Sequence, residues 1–292
     1  MTFKASSQNR PYGISAAALE ILFSVAIATL VSLMAEDNSV IVILMFRYVF
    51  CLPFLLGIGL IQRGKKIFTV DSLYILYART VFGILGLATW FMAISSLGVI
   101  KSTVLGQLMP IFVIFFAPLF LKERLTLIGW FAVCFGFLGT LIILQPNSDG
   151  WWSVGIIFGL LTPFFSALMN ISLRSLGSTD WPITTALWYN FTGALVFASI
   201  YFSADYNFSL DSTTLPFLLL IGLAASGQQY FLAYSRANCS AIALAPISYL
   251  MVPCSILAGL SILGEKVTLS FVIGACIILF SAIYSVKEEK ND

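Results

Sequence analysis

Residues 107–134 read QLMPIFVIFFAPLFLKERLTLIGWFAVC, and residues 249–276 read YLMVPCSILAGLSILGEKVTLSFVIGAC, 142 positions further on (249 minus 107). Leu108 aligns with Leu250, Met109 with Met251, Ile114 with Ile256, Glu123 with Glu265, Thr126 with Thr268, Leu127 with Leu269 and Cys134 with Cys276. Apolar matches arise easily in such a sequence. The shared turn is harder to reach by chance: an acidic residue, a basic residue, an apolar residue and a threonine, set between two long apolar runs. Two further echoes fall at nearly the same spacing. WFMAIS from Trp90 meets YFLAYS from Tyr230, and GISAAALEILFS from Gly13 meets GIIFGLLTPFFS from Gly155. The chain is therefore read as an internal repeat, with units at 13–145 and 151–286.

Each unit divides into five apolar runs of spanning length. In the first they fall near 13–34, 39–62, 73–95, 100–121 and 125–145. In the second they fall near 151–172, 182–203, 213–235, 240–263 and 267–286. Five is odd, so the second copy enters the membrane upside down relative to the first. Inverted repeats are a transporter architecture, with the substrate near the midplane between the halves. The expected fold is an all-α membrane protein of ten transmembrane helices in two inverted five-helix repeats.

Composition agrees. The 292 residues are 60% hydrophobic and 10% charged, with a mean hydropathy of +0.99, against roughly 25% charged residues in a soluble domain. Ten spans of about 20 residues consume about 200, leaving no room for a separate soluble domain. If both termini are cytoplasmic, eleven Lys and Arg lie inside (Lys4, Arg10, Arg63, Lys65, Lys66, Lys122, Arg124, Arg174, Arg236, Lys287, Lys290) against Lys101 and Lys266 outside, as the positive-inside rule requires. The polar first dozen residues show no cleavable signal pattern.

Several functions lose support. Histidine is absent, which removes the usual general base and the commonest metal ligand. The five cysteines have no CxxC or metal spacing and read as buried apolar groups. Neither a metal nor a cofactor is expected. GLIQRGKK, residues 59–66, approaches a phosphate-binding loop, but Lys66 stands where Ser or Thr is needed for magnesium. No basic surface suggests nucleic acid. The expected partners are the lipid bilayer and a small-molecule substrate; a homodimer is left open.

The residues FRYVF at Phe46 to Phe50, ARTVFGILGLATWFMA around Arg79, and PIFVIFFAPLFLKERLTLIGWFAVCFGFLGTLIILQP ending at Pro146 resemble the drug/metabolite transporter superfamily, specifically its EamA-like ten-helix proteins. The resemblance implies an alternating-access carrier of amino acids, cofactor-like molecules or other metabolites in a bacterial inner membrane. The GFLGTLIILQP ending is also similar to the S-adenosylmethionine and riboflavin importers.

Intramembrane charges are costly and are functional candidates by default. Glu20 lies seven residues into the first run and Arg79 six into the third, so both sit about 9 to 11 Å from the same edge and are placed to pair. Arg47 enters from the opposite side with no acid at matching depth. Whether the arginines close structural ion pairs or touch substrate is open. If Glu20 is paired its pKa falls; if it is desolvated and alone its pKa rises, which suits proton carrying. Polar and aromatic mid-span residues complete the candidate pocket: Trp90, Gln107, Trp188, Tyr189, Asn190, Gln228 and Tyr249. Asn190 must find a partner inside the protein, and Trp188-Tyr189-Asn190 matches Phe46-Arg47-Tyr48 in the other repeat. Gly155 and Gly159 form GxxxG, a close-packing signal.

Overall fold

A computed structural model describes residues 10–35, 37–120, 127–144, 154–204, 214–239, 244, 247–248, 250–264, 268–270, 272–277 and 280. The described elements are helical. They are α1 (Arg10–Met34), α2 (Val40–Arg63), a 3-10 turn (Gly64–Phe68), α3 (Leu73–Gly106), α4 (Met109–Phe120), α5 (Leu127–Leu144), α6 (Val154–Leu176), α7 (Pro182–Ser203), α8 (Thr214–Asn238) and α9 (Met251–Ser261). Residues 272–277 are also helical and fall in the tenth expected span. Six of the described helices are long and apolar enough to cross a bilayer. Glu123, Glu265 and Tyr249 lie outside the described residues, as do many of the charges used to orient the chain.

Helix α3 has 34 residues, about 51 Å if straight, too long for a single crossing of a hydrocarbon core of about 30 Å. Gly98 resolves this. With φ 82° and ψ 172°, it adopts a conformation essentially reserved for glycine and reverses the chain, so residues 73–97 form the third span. The fourth runs from 99 to 120, with a short break at Gln107 and Leu108. The second unit restarts at the equivalent place: α9 begins at Met251, 142 positions after the Met109 that begins α4.

Packing obeys the same exchange. α1 packs on α8 as α6 packs on α3, α4 on α6 as α9 on α1, α2 on α8 as α7 on α3, and α2 lies against α7. The first three pairings each turn into their partner pairing when every helix is replaced by its counterpart in the other half, and the α2–α7 pairing turns into itself. Gly155 and Gly159 act as close-approach points: a Cβ on Gly155 would stand 2.7 Å from Ser96 Cβ, and one on Gly159 2.4 Å from Leu105 Cδ1. Without a hydrophobic driving force in lipid, such backbone proximity supplies the van der Waals contact that holds helices together. Outward-facing Leu, Ile and Phe side chains, among them Leu22, Phe54, Leu195 and Leu257, form the lipid-facing coat.

Candidate functional site

A cavity of about 150 Å³ opens between the halves. Its wall draws Glu20 and Ser24 from α1, Gly83, Trp90, Thr103 and Gln107 from α3 and its end, Met109 from α4, and Asn170 from α6. Tyr189 comes from α7, Gln228, Gln229 and Arg236 from α8, and Met251 from α9. Met109, Met169 and Met251 all reach it; thioethers adapt readily to irregular shapes.

A continuous polar network runs along this wall. Arg47 donates to Asn190 Oδ1 at 2.8 Å and Gln228 Oε1 at 3.3 Å. Gln228 Nε2 donates to Ser24 Oγ at 3.1 Å, and Ser24 donates to Glu20 Oε1 at 3.4 Å. Glu20 Oε2 receives Arg236 Nη1 at 3.1 Å, forming an ion pair. Arg236 Nε donates to Asn170 Oδ1 at 2.8 Å. Arg79 joins through Gln229: its Nη2 donates to Gln229 Oε1 at 2.9 Å, and Gln229 Nε2 donates to Gln228 Oε1 at 3.0 Å.

Tyrosine rings support the two inner guanidiniums. Arg79 lies 3.8 Å from the centroid of Tyr189, and Arg47 4.5 Å from that of Tyr48 and 5.9 Å from that of Tyr189. Cation–π attraction of this kind strengthens where water is excluded. The Tyr48 and Tyr189 hydroxyls share a hydrogen bond of 2.8 Å, and Tyr189 also donates to the Gly83 carbonyl at 3.1 Å. A side chain at Gly83 would collide with that ring, its Cβ falling 2.7 Å from Tyr189 Cε2.

The structure redistributes the expected residues. Glu20, Trp90, Gln107, Tyr189 and Gln228 line the cavity. Arg47, Arg79 and Asn190 stand one layer behind, fully buried. The anticipated Glu20–Arg79 pair is corrected: Glu20 binds Arg236, because α1 lies along α8 and places Glu20 beside that helix's last turn. Trp188 is turned away. Its indole donates to the Phe68 carbonyl at 3.3 Å and borders an apolar cleft with Leu52 and Leu56. Tyr249 lies outside the described residues. Sequence reasoning missed Arg236 as a site residue, because it sits at the end of an apolar run and counted as a loop charge; α8 continues to Asn238. Among the described residues no group of His, Cys, Asp and Glu is placed to hold a metal.

The EamA-like transporter family model matches residues 11–145 and again residues 153–286. The chain belongs to the EamA-like transporter family. Its relatives are transporters, and it is not an enzyme. It is 29% identical over 248 residues to a riboflavin transporter of Rhizobium johnstonii, covering 84% of this chain and 78% of that one. An S-adenosylmethionine uptake transporter of Rickettsia conorii is 23% identical, over 84% of this chain and 81% of that one. A pseudopaline exporter of Pseudomonas aeruginosa is 27% identical, over 66% and 65%. A solved crystal structure superposes with a TM-score of 0.77 at 12% identity, covering 98% of this chain and 99% of its own. This EamA-like chain thus shares its fold with an experimentally determined protein across almost its full length.

Proposed function

We propose that this EamA-like chain is a secondary carrier that moves a small polar metabolite by alternating access, with Glu20, Trp90, Gln107, Tyr189, Gln228, Asn170 and Arg236 in contact with the substrate. One observation carries the reading: a largely apolar cavity with a polar stripe, walled by helices from both halves and holding a partly buried ion pair that joins α1 of one half to α8 of the other. Ionisable groups inside a membrane protein mark a transport path more often than a fold requirement. Rocking of the halves must break or remake that contact, so the pair serves as a gate. The distribution of Lys and Arg supports cytoplasmic termini and a gate on the cytoplasmic side. The described lining residues all come from one chain, and the proposed transport cycle uses that chain alone.

The relatives named for riboflavin, S-adenosylmethionine and pseudopaline move the substrate class away from simple amino acids and toward larger, cofactor-like metabolites. Coupling runs by exchange or on the substrate gradient, because both Glu20 oxygens are already engaged, one by Ser24 and the other by Arg236. Uptake into proteoliposomes tests the proposal. Wild type accumulates a substrate such as riboflavin or S-adenosylmethionine with unchanged rate under an imposed pH gradient, and Glu20→Gln loses uptake while still reaching the membrane. Equal uptake by Glu20→Gln refutes the assignment of the gate.

A further inference from the structure

The polar network contains three guanidiniums, of Arg47, Arg79 and Arg236, and one carboxylate, that of Glu20. Glu20 and Arg236 neutralise each other. The remaining two cations are fully buried and hydrogen-bond only to neutral groups: Asn190, Gln228 and Gln229. Removing a charge from water without a counter-charge is expensive, and like charges placed close together add repulsion. Arginine does not escape by losing its proton. The network around the cavity therefore carries a net charge of +2 among the described residues.

The unused hydrogen-bonding atoms point the same way. Arg47 Nε and Arg79 Nε and Nη1 have no partner, although each is a buried donor. Both glutamines turn their carbonyl oxygens toward the guanidiniums, an orientation that aims their amide N–H groups away from those cations. Both Glu20 oxygens are already engaged. Behind this wall the spare groups are donors, and the field they project through it is positive. Across the cavity, Gln107 Oε1 and Thr103 Oγ1 are buried and unpartnered, offering acceptance to an N–H or O–H of a bound molecule.

We infer, building on the carrier reading above, that the cavity takes a metabolic anion: a molecule with a carboxylate or phosphate directed at the Gln228–Gln229–Tyr189 wall, where Arg47 and Arg79 balance its charge, and a hydrogen-bond donor directed at Gln107. The guanidiniums act through the wall residues, as a fixed positive field in a site where water screens little.

Matched compounds that differ in charge test this on the full-length protein in detergent. The pairs are pantothenate with pantothenol, flavin mononucleotide with riboflavin, and glutamate with glutamine, each titrated by thermal shift and by calorimetry. In at least one pair the anion binds about tenfold or more tightly than its neutral partner, and Arg79→Gln reduces that ratio toward one without abolishing binding of the neutral compound. Should Arg79→Gln fail to fold, Arg47→Gln gives the same reading through the other buried cation, while Arg79→Lys, which keeps the charge, should retain the preference. Equal or tighter binding of the neutral members, or no binding by any member to protein with a cooperative melting transition, overturns the anion inference. Uptake in proteoliposomes separates it from the carrier proposal. A neutral compound that is transported while its anionic partner binds no more tightly leaves the carrier standing and refutes the anion, whereas an anion that binds preferentially without being transported does the reverse.

Discussion

The hydroxyls of Tyr48 and Tyr189 meet at 2.8 Å, next to a 2.8 Å bond from Arg47 to Asn190. The two contacts are one contact seen twice. Adding 142 converts Arg47 to Tyr189 and Tyr48 to Asn190, so the exchange of halves carries the Arg47–Asn190 pair onto the Tyr189–Tyr48 pair. The pseudo-two-fold axis passes between α2 and α7 at this point. Tyr189→Phe removes two hydrogen bonds, to Tyr48 and to the Gly83 carbonyl, and is expected to destabilise by about 1–2 kcal/mol. Tyr48→Phe leaves Tyr189 bonded to Gly83 and should cost about half as much. Melting temperatures of both variants check the order; the reverse order removes the argument.

The ion pair between Glu20 and Arg236 calls for a double-mutant cycle. Glu20→Gln leaves Arg236 mostly buried beside neutral partners, and is expected to lower stability by about 1–3 kcal/mol, as is Arg236→Gln. The double variant carries no net charge at the pair and should recover most of that loss, while uptake stays low in all three. Additive destabilisation in the double variant would show that the two residues are not coupled.

What was legible in the sequence, and what was not, divides between depth and direction. The run lengths anticipated most helices to within a few residues, and rise per residue gave Glu20 and Arg79 similar depths. Neither reports which side of a helix faces which neighbour. Arg79 was expected to meet Glu20, but its side chain projects toward α7 and α8, where Tyr189 and Gln229 receive it. Trp188 and Tyr189 differ by one step, about 100° around the helix, and that step separates the apolar cleft from the cavity. The repeat spacing was readable because it is one number shared by the whole chain; azimuth is set helix by helix through packing.

Trp188 and Trp90 therefore part company in function. Trp188→Phe is expected to keep uptake within about twofold of wild type, since its indole binds a loop carbonyl outside the cavity. Trp90→Ala removes part of the cavity wall, and transport should fall about tenfold or more, a loss of at least about 1.4 kcal/mol in binding or barrier terms. Initial uptake rates normalised to membrane protein make the comparison. Matching losses in both variants would place the substrate elsewhere.

At Gly98 the backbone itself is the constraint. Its φ of 82° tolerates a Cβ poorly, and Gly98→Ala should destabilise by about 1–3 kcal/mol. Gly57 lies within α2 with nothing within 4 Å of a built Cβ, so Gly57→Ala should be neutral or slightly stabilising. Paired thermal melts give the answer, and a neutral Gly98→Ala would deny the turn its role in separating the third and fourth spans.

The contact at the axis also bears on why both halves reside in one polypeptide. Two identical five-helix chains assembled head to tail would be bound to repeat every side chain across their axis, and a guanidinium at the Arg47 position would be matched by another at the position of Tyr189, with like charges facing each other in a dry interior. Joined as one chain, the halves are free to diverge: one supplies the cation, the other the tyrosine ring on which it and Arg79 rest. Covalent fusion thus relieves an electrostatic penalty that perfect symmetry imposes, and it lets a two-fold scaffold enclose a chemically one-sided cavity.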